Sequence, residues 1–256
     1  PSGISARTAR RLAAHRGGRL HVFDALPAAR AALVVIDMQE TFLSKASSGK
    51  AYFCPDGSAI VPAINRMAAA VRARGGTVVW VTSDVGADSL ERWPVMYGGF
   101  IPQQYRAALA EQLAHSDFRW GRDYDPRRCR HGMDGPLDPG LDIKGEDAFV
   151  KKDRFSPFAP GGKHQGCRPA DGPVGPQDFD LWLRRQGIEC LLLAGVTTAC
   201  CVDCTARDAM QRNFKVVVLS DAVAPSTLQD HVAALDHLAV GMADVRTVDD
   251  AVGALV

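Results

Sequence analysis

Short, continuous apolar runs alternate along this chain with longer stretches whose apolar residues fall three and four apart. Ala31 to Ile36 (AALVVI) and Thr77 to Thr82 (TVVWVT) are runs of the first kind. Uninterrupted Val- and Ile-rich runs predict strands covered on both faces, as in a parallel sheet. Ser58 to Arg74 is of the second kind: Ile60, Ile64, Met67 and Val71 form one stripe, and Gly75-Gly76 ends it. Ile101 to His115 also reads as a helix, with Tyr105, Leu109 and Leu113 on one side. The pattern then dissolves between Ser116 and Gly145, and again between Ala159 and Pro176, into Gly, Pro and charged residues that predict two long loops.

Between these loops Ala148 to Lys151 is a short strand. Beyond them the alternation is regular. Helices are expected over Asp178 to Gln186, Ala199 to Arg212 and Leu228 to Leu238, and strands over Cys190 to Ala194, Lys215 to Ser220 and Val245 to Val248. Strands alternating with helices of this length predict an α/β fold, with three α/β/α layers around a mostly parallel sheet of about six strands. The main domain is expected over residues 31–256, after a basic N-terminal arm over residues 1–30.

Composition narrows the class without naming it. The 256 residues are 46% hydrophobic and 23% charged with a formal net charge of +1, which is ordinary for a globular protein and gives no general case for nucleic acid or an acidic membrane. No apolar run has the length of a membrane-spanning helix. Ala6 to Leu20 carries Arg7, Arg10, Arg11, Arg16 and Arg19, so it has no apolar signal core; it reads as an arm left flexible or packed on a neighbouring subunit. Seven cysteines, an odd number in a long chain, argue against a disulfide scaffold and for a reducing cytoplasm.

In open α/β sheets, ligands bind beyond the carboxyl ends of the strands. The first strand ends on Asp37, the third on Lys152, and the fourth runs into Gly195-Val196-Thr197-Thr198-Ala199-Cys200-Cys201. At a helix start Cys201 has backbone N–H groups and the positive end of the dipole to favour its thiolate. Lys152 adds a cation, and Asp37 is a proton acceptor that can later return the proton to a leaving amine. Each residue also has a plain reading. An Asp after a strand is commonly a cap, a Lys there a solvated charge, and a helical Cys buried filler.

The segments around them add more. Val34-Val35-Ile36-Asp37-Met38-Gln39, Lys152-Asp153-Arg154-Phe155-Ser156-Pro157-Phe158 and Gly195 to Val202, in that order, resemble the three motifs of the isochorismatase-like cysteine hydrolases, and the match continues through Thr205-Ala206-Arg207-Asp208-Ala209 to Asp221-Ala222. The resemblance implies a triad of Asp37, Lys152 and Cys201 with an acyl-enzyme on the thiol. It also implies a cis Val196–Thr197 bond, an oxyanion site from the N–H groups of Thr197 and Cys201, and a homodimer or homotetramer. Motif spacing makes Cys201 rather than Cys200 the nucleophile, leaving Cys200 and Cys204 as packing residues. Cys201-Val202-Asp203-Cys204 is formally C-x-x-C, but lacks the aromatic and Gly-Pro surroundings of thioredoxin-like redox sites.

Departures from the family pattern bear on substrate. Its nicotinamidases carry a metal-binding Asp-x-His after the second strand, where this chain has Ser83-Asp84-Val85-Gly86-Ala87-Asp88 and no His. No metal and no cofactor are therefore expected, and the amidase branch acting on small amides, ureides or carbamoyl compounds is favoured. A competing reading is a binding or scaffold protein that keeps the fold without the chemistry. Substrate contacts are expected from Gln39, Phe42, Trp93, Arg154 and Phe158, with Arg154 either on a substrate carboxylate or on a structural acid. Tyr97, Phe100, Phe118 and Trp120 are further aromatic candidates for the pocket wall. Cys129, His131, His164 and Cys167 supply four metal-ligand side chains, but at irregular spacing.

Overall fold

The computed structural model describes residues 3–44, 53–83, 89–100, 135–159, 166–168 and 178–256. The expected helix from Ile101 to His115 and most of both long loops lie outside them. Seven strands form one sheet: β1 (Ala31–Ile36), β2 (Thr77–Ser83), β3 (Ala148–Lys152), β4 (Gly166–Arg168), β5 (Cys190–Val196), β6 (Lys215–Ala224) and β7 (Asp244–Arg246). Their order is β4-β3-β2-β1-β5-β6-β7. Every neighbouring pair is parallel except β3 with β4, so a six-stranded parallel sheet carries one short antiparallel edge.

The period-2 alternation of the central strands sets the layers. Ala32, Val34 and Ile36 of β1, with Val79 and Val81 of β2, point into one apolar cluster. Leu33 and Val35, with Val78 and Trp80, point into the other. The first face is covered by α1 (Ala6–His15), α5 (Phe179–Arg185), α6 (Asp203–Gln211) and α7 (Leu228–Gly241), through Leu12, Leu183, Ala206 and Leu235. The second is covered by α3 (Val61–Arg72) and α8 (Val248–Ala254), through Ile64, Met67, Val71 and Ala251. Two four-residue helical turns, α2 (Glu40–Leu43) and α4 (Ser89–Arg92), follow β1 and β2 near the sheet's carboxyl edge.

The basic N-terminal segment folds onto its own domain. Ser5 caps α1 by accepting the Thr8 N–H and binds Asp236 of α7 through both its N–H and its hydroxyl. Arg16 donates to the Ala239 carbonyl at 2.7 Å, and Leu12 is buried in the first cluster. The signal for this in the sequence is thin: one buried leucine among exposed arginines is enough to seat a helix already tied by its cap.

Candidate active site

Four adjacent strands, β3, β2, β1 and β5, deliver one polar group each at their carboxyl ends. Asp37 directly follows β1, its N–H still laddered to the Val81 carbonyl at 2.9 Å. Its φ of +54° lies in the left-handed region, which Asp tolerates better than a bulky residue does. Ser83 closes β2 and Lys152 closes β3, directly opposite one another in register. Gly195 near the end of β5 has φ +106°, and a Cβ there would collide with the Ile36 carbonyl oxygen. Only glycine lets β5 approach β1 so closely.

The Val196–Thr197 peptide is cis. Residues Thr198–Val202 then form a wide helical turn that runs straight into α6, with Cys201 in it. The Thr197 carbonyl accepts from the N–H groups of Cys200 and Val202, at 3.1 and 3.3 Å. The Thr205 hydroxyl holds the Cys201 carbonyl at 2.6 Å, and the Thr198 hydroxyl meets His231 Nδ1 of α7 at 2.9 Å. The turn is thus fixed from the helix that follows it and from α7.

Lys152, wholly buried, lies at the centre. Its ammonium donates to Asp37 Oδ2 at 2.8 Å, to Ser83 Oγ at 2.8 Å and to the Arg154 carbonyl at 3.1 Å, and it lies 3.6 Å from Cys201 Sγ. The Ser83 hydroxyl in turn donates to Asp37 Oδ1 at 3.0 Å. Gln39 braces this pair: its side-chain oxygen accepts from the Ser83 N–H at 2.8 Å, and its amide reaches the Ser83 and Gly135 carbonyls. The expected catalytic residues Asp37, Lys152 and Cys201 are therefore brought together.

Burial is the largest single influence on Lys152 and works against its charge, but the Asp37 carboxylate together with the Cys201 and Cys200 side chains holds the lysine above its ordinary range. Cys201 is also pushed up, by a hydrogen bond with the Cys200 side chain, by burial and by the Asp37 charge, against the opposing pull of Lys152. These influences favour the thiol form of Cys201 beside the Asp37–Lys152 ion pair. That differs from the thiolate expected at a helix start, because burial and the neighbouring thiol and carboxylate outweigh the cation and the dipole. Burial pushes Cys54 and Cys190 up to about 12 and Cys204 to about 11. What sets Cys201 apart from these three is its position, 3.6 Å from the Lys152 ammonium.

The expected substrate contacts fare differently. Phe158 is buried in the first cluster, packed on Phe179 at 4.9 Å and on Phe214 at 5.9 Å. Arg154 has its guanidinium on the carbonyls of Asp153 and Arg92, 3.3 Å from Asp153 Oδ1 and over the Trp93 ring, which supplies the structural acid that the sequence left open. Gln39 is a brace for Ser83. Phe42 is half-buried against the second cluster. Trp93 packs edge-on to Phe155 at 4.9 Å and to Tyr97 at 6.2 Å, while Phe100 is exposed. Phe118, Trp120, Cys129, His131 and His164 lie outside the described residues, as does the side chain of Cys167. Among the described residues no group of three or more His, Cys, Asp or Glu is placed to hold a metal ion.

Sequence reading missed Ser83. Its signal was a hydroxyl at the end of an otherwise apolar central strand.

Comparison with known proteins agrees with the arrangement. The isochorismatase domain pattern matches residues 31–250. The ureidoacrylate amidohydrolase RutB of Methylorubrum extorquens is 29% identical over 77% of this chain and 72% of its own length. The nicotinamidase of Escherichia coli is 27% identical over 74% of this chain and 81% of its own. Another family protein aligns over 78 residues, 42% of its length. Among solved structures, a cysteine hydrolase from Pseudomonas syringae pv. phaseolicola shares the fold with a TM-score of 0.65 at 21% identity, covering 92% of this chain and 96% of that one. From the sheet order, the strand-end site and these matches together, the chain belongs to the isochorismatase family.

Proposed function

We propose that this chain is an amidohydrolase that cleaves a non-peptide C–N bond of a small amide, ureide or carbamoyl compound through a thioester on Cys201. The single observation that carries the reading is the buried ammonium of Lys152, shared between Asp37 Oδ2 and Cys201 Sγ. The names of its relatives RutB and nicotinamidase support a C–N target.

In this reading the thiol proton passes to Asp37 as Cys201 Sγ attacks the carbonyl carbon. Lys152 offsets the negative charge that builds on sulfur and carboxylate. The carbonyl oxygen becomes an oxyanion facing the N–H groups of Thr197 and Cys201, a task for which fixed backbone donors are suited. Collapse breaks the C–N bond, and the departing nitrogen takes the proton from Asp37 and leaves as ammonia or an amine. Asp37 then deprotonates a water that attacks the thioester, releasing the acid and returning the proton to Cys201.

Residues 31–256 are the hydrolase unit in this proposal, with residues 1–30 as its N-terminal extension. The free thiols fit a reducing cytoplasm, and assembly as a homodimer or homotetramer follows the family resemblance. No helix among the described residues is long and apolar enough to cross a membrane.

Ammonia release from a panel of primary amides, ureides and carbamoyl amino acids, with Cys201→Ala alongside, tests the reading. Turnover by the parent chain and none by Cys201→Ala is the expected result. Equal turnover by both would remove Cys201 from the chemistry.

A further inference from the structure

Lys152 has three N–H protons and four acceptors. Three acceptors are oxygens, Asp37 Oδ2, Ser83 Oγ and the Arg154 carbonyl, at 2.8 to 3.1 Å; the fourth is Cys201 Sγ at 3.6 Å. The oxygens take the short bonds and leave sulfur the remainder. Two of these oxygens belong to the ion pair and to the main chain. The third is a single hydroxyl, which also donates its proton to Asp37 Oδ1 at 3.0 Å. With Lys152 on Oδ2, both carboxylate oxygens of Asp37 are therefore occupied. Ser83 itself is buried, and Gln39 pins its N–H and carbonyl.

From this geometry we infer that Ser83 is a positioning residue: its hydroxyl withholds one lysine N–H from Cys201 Sγ and caps the carboxylate that must receive the thiol proton. The inference rests on reading Asp37, Lys152 and Cys201 as one reacting set. Removing the hydroxyl frees a lysine N–H for sulfur and leaves Asp37 a stronger proton acceptor. Both changes draw the proton away from Cys201. The resting thiolate fraction then rises while the orientation of Asp37 for turnover is lost. A residue that only fills space would shift neither proton.

The test is the pH dependence of Cys201 alkylation by iodoacetamide, followed by peptide mass spectrometry in the parent chain, Ser83→Ala and Ser83→Thr. It uses no amide substrate, so it can succeed even where the hydrolase reading fails in the ammonia screen. The alkylation midpoint is expected to fall by about one pH unit in Ser83→Ala, the size of a single hydrogen-bond effect on a buried group. It should return towards the parent value in Ser83→Thr, which restores the hydroxyl. Ser83→Cys, which keeps a side chain of similar size but bonds weakly, should move in the same direction by less, and it stands in if the alanine variant does not fold. An unchanged or higher midpoint in Ser83→Ala, or in Ser83→Cys in its place, overturns the inference.

Discussion

Two buried carboxylates at opposite edges of this sheet are held by different donors. Asp147, just before the amino end of β3, receives Arg72 Nε and Nη2 at 3.0 and 2.6 Å, Trp80 Nε1 at 2.8 Å and the Lys144 N–H at 2.8 Å. A planar fork and a fixed indole are matched to it, and each oxygen has a fixed direction of donation. Asp37, at the carboxyl end of β1, is held instead by one flexible ammonium and one rotatable hydroxyl. That ammonium has more acceptors than protons. The first arrangement ties α3 to the sheet through paired, directional bonds; the second shares one ammonium among competing acceptors. Ion pairs of similar burial thus differ in the donor chosen: arginine where the geometry is to stay, lysine where a proton is to move.

The sharpest way to break this contrast is to exchange the donors. Lys152→Arg keeps the charge but puts a planar fork where a point charge is shared, and turnover should fall by about a thousandfold or more. Arg72→Lys should leave turnover per folded molecule unchanged and lower stability by about 1–2 kcal/mol, read from denaturant midpoints. Equal losses of activity in the two variants would erase the distinction.

Next in size is removal of the carboxylates. Asp147→Ala takes the bidentate carboxylate from the buried Arg72 and leaves it only Asp142, and a loss of about 3 kcal/mol is expected, with activity of the folded fraction retained. Asp37→Asn keeps the shape of the site. It should abolish turnover. Because it leaves the buried Lys152 ammonium without its counter-charge it should lower the thermal midpoint as well, so activity per folded molecule is what separates Asp37 from Asp147.

The smallest effect concerns the brace on the nucleophile turn. Burial holds His231 below its ordinary range. The unfolded chain therefore takes up the proton first, so stability is full above the unfolded value near 6.5 and falls as pH drops through it. In His231→Gln that acid-side slope should flatten in melts collected between about pH 7 and pH 5. An unchanged slope would assign the acid sensitivity to other groups.

The parallel sheet and the polar strand ends at Asp37, Lys152 and Cys201 are legible in the sequence for one physical reason, whereas their grouping as a triad comes from the family resemblance. Strands buried on both faces are continuous apolar runs, and a polar residue ending such a run stands out, as Asp37, Lys152 and the Thr197–Cys201 turn do. Ser83 ends β2 in the same way but reads as an ordinary strand-end hydroxyl, and its role emerges only once register sets it opposite Lys152. The roles of Arg154 and Phe158 were not legible, because they depend on partners far along the chain. Arg154 reaches the Arg92 carbonyl 62 residues away, and Phe158 packs on Phe179 and Phe214. Aromatic and basic residues beside a motif look the same whether they face a ligand or the core. The seat of α1 was hidden among arginines because its anchors, Asp236 and Ala239, lie at the other end of the sequence.

The central claim is that Cys201 is the reacting group, and a timed iodoacetamide titration addresses it most directly. Carboxamidomethylation is mapped over all seven cysteines while ammonia release is followed in the same samples. Cys201 should be modified first, with activity lost in proportion to its modification alone. Full modification of Cys201 with turnover retained would contradict the account.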